Sequence, residues 1–304
     1  MPSPRDLASV LLRSRSWTTA QLRRYGFGKR DLRRMVDGGA ILRVRQGRYV
    51  PADTDPALVA AARLGARLGC ISLLSALGVF VRDTATLHVH IDRGASRLPP
   101  RDARIVAHWR EADADGEGAL TVDVVSALVQ AVLCQSPRDA VATLDSAWHH
   151  GLVDEGGIAE VFRRLPHRHR ALRPLVDPRS EAGTETLMRL LLRTLGHDVQ
   201  VQVEIAGVGR VDLLVDGWLI VECDSRGFHA DWAARRRDLR RDLAAARLGY
   251  TTVRPLAEDI LFAYDDLVAA MRDVLRHPRA VSARGVPNSS RSRRSRRRPS
   301  PTAE

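Results

Sequence analysis

"RVDLLVDGWLIVECDSRGFHAD", residues 210–231, decides how the C-terminal third of this chain is read. Val, Leu and Ile recur densely enough for a buried β-hairpin, yet Asp212, Glu222 and Asp224 interrupt the apolar run and His229 follows it. Buried carboxylates are costly unless they are paired or hold a metal ion. Strand side chains alternate faces, so Glu222 and Asp224 share one face, Val221 and Cys223 the other. The turn decides where Asp212 goes. A two-residue turn at Asp216 and Gly217 sets Asp212 opposite Val221 and leaves Glu222 on the reverse face. A three-residue loop, with Gly217 in the left-handed region, brings Asp212 and Glu222 to the same side. Only the second arrangement makes a carboxylate cluster. Its hard oxygen donors suit Mg2+ or Mn2+, with Asp212 and Glu222 as ligands and Asp224 beside them. Glu185, on a preceding helix, is a further or water-mediated ligand, and His229 is the candidate general base on a metal-activated water.

Outward from the hairpin the pattern is α/β. "DPRSEAGTETLMRLLLRTLG" predicts an amphipathic helix with Leu187, Leu190, Leu191 and Leu195 inward, and "HDVQVQVEI" alternates as a half-buried strand does. "WAARRRDLRRDLAAARLG" predicts a basic helix offering Arg235, Arg236, Arg237, Arg240 and Arg241 to a phosphate backbone. Within it, Asp238 and Asp242 are placed to pair with neighbouring arginines. "YTTVR" is a strand and "EDILFAYDDLVAAMRDVL" a single last helix. The order α-β-β-β-α-β-α over residues 177–277 is an α/β domain of ordinary size. Beyond it, 278–304 is almost free of apolar residues and reads as a disordered Arg-rich tail.

The first 51 residues form a second unit. "RDLASVLLRS" has helical spacing, and in "WTTAQLRRYG" Thr18 or Thr19 caps a short helix that Gly26 ends. "GKRDLRRMVDGG" predicts a helix with Leu32, Met35 and Val36 inward and Lys29, Arg30, Arg33 and Arg34 outward. "AILRVRQGRYV" alternates around Gln46 and Gly47 as a hairpin carrying Arg43, Arg45 and Arg48. Helix, short helix, basic helix and basic hairpin is the order of a winged helix-turn-helix, which sets the basic helix in the major groove of double-stranded DNA and the hairpin on its backbone. A small helical domain with solvated arginines is the plainer reading.

Residues 52–176 read as a mixed α+β region that connects and oligomerises. "TLHVHID" and "ARIVAHW" read as strands, "TVDVVSALVQAVL" as a helix with a Thr cap, and "SPRDAVATLDSAWHHG" as one capped by Ser136 with Pro137 at its first position. His88 and His90 alternate on a strand and His149 and His150 end a helix; with no third ligand in view these read as strand surface and dipole complementarity.

Charge is placed unevenly. The net charge is +12, but residues 1–50 carry 12 Lys/Arg against three Asp/Glu and residues 279–304 eight Arg against one Glu, so the body between them is slightly acidic. Basic ends on an acidic body suit a polyanion, most simply nucleic acid, although for the tail solubility alone serves equally well. Aromatic residues make up 5% of the chain, too few to suggest a single-strand stacking platform and hence RNA cleavage. Three cysteines without metal-type spacing and no apolar run long enough for a membrane span fit a reducing, cytoplasmic, nucleoid-associated setting.

"WTTAQLRRYGFGKRDLRRMVDGGAILRVRQGRYV" resembles the N-terminal domain of AbiEi-type antitoxins, regulators of bacterial type IV toxin–antitoxin systems. "SEAGTETLMRLLL", "GRVDLLVDGWLIVECDSRGFH" and "RRRDLRRDLAAARLGYTTVR" together resemble the Vsr-like branch of the PD-(D/E)XK, restriction-endonuclease-like fold, and within it the DUF 559 family. That resemblance implies that Asp212 and Glu222 are the two motif acids, Glu185 the helix glutamate and His229 the histidine of mismatch-repair relatives. It also implies a cognate toxin or a repair protein as a further partner. Val211 replaces the motif proline, and Asp224 stands where the motif lysine belongs, which removes one charge-stabilising group. Two functions follow: a Mg2+-dependent DNA endonuclease, or a non-catalytic antitoxin-type regulator with a degenerate nuclease fold.

Overall fold

A computed structural model describes residues 3–100, 102–111, 117–223 and 232–276; Asp224 and His229 lie outside the described residues, as does the Arg-rich segment 278–304. The architecture is mixed α/β, with three small sheets and many helices.

The N-terminal unit runs α1 (Pro4–Leu11), β1 (Trp17–Thr18), α2 (Thr19–Arg24), α3 (Lys29–Asp37), β2 (Ile41–Arg45) and β3 (Arg48–Pro51). Thr18 is the residue that caps α2. Its hydroxyl accepts from the Gln21 amide while the Gln21 side chain accepts from the Thr18 amide, which closes a capping box. α3 buries Leu32 and turns Lys29, Arg30, Arg33 and Arg34 to the outside. The β2–β3 hairpin is antiparallel and irregular between Arg43 and Arg45, and β1 pairs with β3 to give the order β1-β3-β2.

The middle region holds α4 (Pro56–Arg63), β4 (Arg67–Leu68), α5 (Cys70–Ala76), β5 (Leu87–Asp92), β6 (Ile105–Arg110), α6 (Val124–Cys134), α7 (Pro137–His149) and α8 (Glu155–Arg164), then a 3-10 segment, His167–Leu175. The two expected strands pair in parallel as β5 and β6, and β4 lies antiparallel on the other edge of β5. Ser136 caps α7 by accepting from the Asp139 amide. α6 departs from expectation: Asp123, not Thr121, caps it, because Thr121 is drawn into a β-bridge with Leu68. His88 and His90 are also not surface residues. β5 is the central strand and both side chains are buried beneath α5 and α6. Leu11, Val44 and Val50 of the N-terminal unit share one apolar core with Leu58, Leu73 and Leu128, so the two regions pack as one body.

The C-terminal region comprises α9 (Gly183–Thr194), β7 (Val199–Ile205), β8 (Gly209–Val215), β9 (Leu219–Val221), α10 (Trp232–Arg247), β10 (Thr251–Val253), α11 (Ala257–Phe262) and α12 (Tyr264–Arg276). The sheet order is β10-β9-β8-β7, antiparallel from β7 to β9 and parallel between β9 and β10. The single last helix expected from the sequence is two. Ala263 leaves helical geometry (φ −116°, ψ 46°), and α11 and α12 each bring apolar residues, Ile260 and then Leu267 and Met271, to the core shared with α9. α10 covers the opposite side of the sheet with Ala245 against Val211, Leu214 and Ile220.

α9 is anchored to α7 by a fully buried ion pair. Arg189 donates to Asp145 Oδ2 at 2.6 Å, and Asp145 also accepts from Thr186 Oγ1 and the Asp177 amide. Arg189 Nε is buried without a partner, but the other polar atoms of the pair are matched, and losing one residue would strand the other. Among the described residues no helix is long and apolar enough to cross a membrane.

Candidate functional site

The hairpin that raised the question closes with a three-residue loop. Val215 pairs with Leu219 across Asp216, Gly217 and Trp218, and the register runs on through Leu214↔Ile220 to Leu213↔Val221. One step further sets Asp212 across from Glu222. Gly217 takes the left-handed conformation (φ +72°), and Asp216 does too (φ +49°), which a short polar side chain tolerates when it bonds locally. Asp216 does bond locally: its carboxylate faces His197 Nδ1 at 2.7 Å and accepts from the Asp198 amide. The two-residue alternative, which would have separated Asp212 from Glu222, does not occur.

A second device appears on β7. The pairs Val201↔Leu213 and Val203↔Val211 place Gln202 opposite Asp212, so Gln202, Asp212 and Glu222 form a row across three strands. Val199 and Val201 pack with α9, whereas Val203 and Ile205 pack in the α10 cluster, so the strand changes face at Gln202. β8 changes face at Asp212 in the same way, between Val211 and Leu213. Gln202 absorbs the change with φ +52°, a conformation that costs an L-residue about 1–2 kcal/mol. The row therefore sits at the seam where groups from both helical layers reach the sheet.

Glu185 reaches that seam from the first turn of α9. Its Oε2 accepts from Gln202 Nε2 at 3.0 Å and from the Glu181 amide at 2.9 Å. Gln202 also hydrogen-bonds Asp212, and its own Oε1 is buried with no protein partner. Asp212 Oδ2 accepts from the Cys223 amide at 2.9 Å. Glu222 Oε1 is met by Arg241 of α10 at 2.9 Å, and Arg241 is further held by the carbonyls of Val208 and Arg210. Arg241 is thus committed to the site and not offered to a phosphate backbone as its sequence position suggested. Asp242 likewise pairs across to Arg254 on the strand side, at 2.7 Å, and not with a helix neighbour.

Burial and mutual repulsion govern the charges. Burial first, and then the Asp212 charge, push the Glu185 carboxyl up to about 7. Asp212 is raised by burial against the pull of the Cys223 amide and Gln202, and Glu222 by burial and then by Asp212, with Arg241 opposing. Asp212 is thus the common neighbour of two carboxyls, Glu185 and Glu222, that its charge holds toward the protonated form, with an orphaned amide oxygen nearby and Arg241 as the cation on Glu222. Asp212 lies close enough to act on both Glu185 and Glu222, whereas Asp224 and His229 fall outside the described residues. Gln202 and Glu181 were not singled out from the sequence. Gln202 sits in an ordinary alternating strand pattern, and Glu181, paired with Arg210 at 2.8 Å, precedes the helix start.

The basic residues fall into two sets. Lys29, Arg30, Arg33 and Arg34 line the exposed face of α3, with Arg34 paired to Asp31 and Arg33 to Asp37 on the same helix. Arg43 is exposed on β2, whereas Arg45 is half-buried and donates to the Arg97 carbonyl at the surface, and Arg48 is half-buried. Arg236 and Arg240 are exposed on α10; Arg235 has no described side chain. Comparison with protein-family models and with curated proteins finds no match for this chain.

Proposed function

We propose that this chain is a DNA-binding protein whose C-terminal domain is a Mg2+-dependent endonuclease hydrolysing phosphodiester bonds. The observation that carries the reading is the three-residue loop, which sets Asp212 across from Glu222 beside Glu185. A four-stranded mixed sheet between α9 and α10, with one acid on its second strand in chain order and another directly after its third, is the arrangement expected of a PD-(D/E)XK nuclease. The order α1-β1-α2-α3-β2-β3 and the outward basic face of α3 support a winged helix-turn-helix that takes double-stranded DNA in its major groove.

Asp212 and Glu222 would hold the ion, with Gln202 Oε1 as an uncharged oxygen beside them. Bound there, Mg2+ supplies charge to the scissile phosphate and acidity to its water. Glu185 keeps its proton until near neutral pH and joins the donor set on losing it. Gln202 orients both Glu185 and Asp212. His229 is the proposed base on the attacking water, and Arg236 and Arg240 the backbone contacts.

One observation favours the second reading, a non-catalytic antitoxin-type regulator: Arg241 already neutralises Glu222, as a retained but inactive fold would allow. Titration calorimetry with Mg2+ and Mn2+ on the wild type and Asp212→Ala, paired with plasmid nicking, separates the two. Metal uptake and nicking that both vanish in the variant support the nuclease. DNA binding with neither leaves the regulator, with a cognate toxin or repair protein as its partner.

A further inference from the structure

The middle region carries a second donor set, of a different chemical kind. Cys70, His88, His108 and Cys134 come from four separate elements, α5, β5, β6 and α6, and their ligand atoms all lie within 4.8 Å of one another. From this geometry we propose that the four side chains form a tetrahedral Cys2His2 site for Zn2+, one that clamps the middle sheet to its two covering helices.

The distances fit the ion. Bonds of about 2.0–2.1 Å to nitrogen and about 2.3 Å to sulfur, arranged as a tetrahedron, separate two nitrogens by about 3.3 Å and nitrogen from sulfur by about 3.5 Å. His88 Nδ1 stands 3.2 Å from His108 Nε2 and 3.6 Å from Cys134 Sγ. Two imidazole nitrogens at that separation share at most one proton between them. A cation gives each lone pair a partner and gives the sulfurs one as well.

The surroundings are those of a prepared ligand set. The far nitrogen of His88, Nε2, stands 2.9 Å from Thr86 Oγ1; a proton donated there leaves the lone pair on Nδ1, facing the cluster. The His88 amide is fixed by Ser72 Oγ at 2.8 Å. Cys70 begins α5 with φ +48°, a backbone position that a non-glycine residue adopts only where its surroundings impose it. Cys70 and His88 are buried, His108 is half-buried and Cys134 is exposed, so the site is closed by four protein ligands yet reachable from one edge. Two thiolates and two imidazoles select zinc over the Mg2+ proposed for the carboxylates, and four protein ligands leave no open position, so the role is structural.

The test uses the full-length untagged chain, expressed with zinc and purified without chelator. Elemental analysis should find one equivalent of zinc in the wild type and in Asp212→Ala, and none in the Cys70→Ser/Cys134→Ser double variant. Should that double variant fail to fold, Thr86→Val leaves all four ligands in place and should weaken zinc binding about 10- to 100-fold in chelator competition, as loss of a ligand-orienting partner does. Cobalt exchanged into the wild type should give the intense absorption of a tetrahedral, thiolate-bound ion. Substoichiometric zinc, a weak six-coordinate cobalt spectrum, or a Cys70–Cys134 disulfide in the chain as isolated would each overturn the proposal.

Discussion

Glu185→Gln isolates the electrostatic cost of the carboxylate cluster. Its carboxyl stands at about 7 in the folded chain against an ordinary 4.5, with burial as the first cause and the Asp212 charge as the second. A carboxyl raised on folding binds more protons in the folded than in the unfolded state. Stability therefore falls as pH rises from the unfolded value to the folded one, and is level outside that window. At about 1.4 kcal/mol per unit the loss is about 3 kcal/mol between roughly pH 4.5 and pH 7. Glutamine keeps an acceptor for the Glu181 amide and for Gln202 but cannot ionise. Denaturant unfolding of both proteins, in buffer without divalent metal and at intervals from about pH 4 to about pH 8, should show the variant gaining about 3 kcal/mol on the wild type across that span. Parallel curves would refute the reasoning, because they would mean that Glu185 ionises at its ordinary pH and bears no strain from its neighbours. The same variant should bind Mg2+ more weakly at pH above about 7, where stability gained at the site is function lost.

Three further outcomes follow from the fold. Gly217→Val forces a β-branched residue to φ +72°, so the loop should destabilise the hairpin by about 1–2 kcal/mol and loosen Mg2+ binding, read by unfolding and calorimetry. Arg189→Met strands Asp145 in the core between α7 and α9 and should cost about 3–5 kcal/mol in unfolding free energy; an unchanged protein would mean that the pair is not a structural joint. Lys29→Gln with Arg30→Gln removes two cations from the exposed face of α3, and the slope of log affinity against log salt for duplex DNA should fall by roughly 1.8, measured by fluorescence anisotropy. An unaltered slope would take α3 out of the DNA interface.

Much of this protein was legible in its sequence because the deciding signals are local. The Thr18 and Ser136 caps, the helices they start and the alternation of β7 each depend on neighbours a few residues away. Even the carboxylate pair was reduced by the sequence to a single question, since loops of two and of three residues give opposite parities. Tertiary structure chose three, and in that loop Asp216 bonds His197 and the Asp198 amide. It also placed Gln202 opposite Asp212 and switched both strands between helical layers there, which strict alternation cannot express. Arg241 was turned from presumed DNA contact to partner of Glu222 for the same reason: a helix position gives a direction, not a neighbour. The Cys and His residues of the middle region show the limit most clearly. Their spacing carries no motif, and a strand pattern alone made His88 a surface residue. Only the packing of α5 and α6 over a parallel β5–β6 pair buries it and brings Cys70, Cys134 and His108 to its ring, because convergence from distant parts of the chain is a property of the folded core and not of any local stretch.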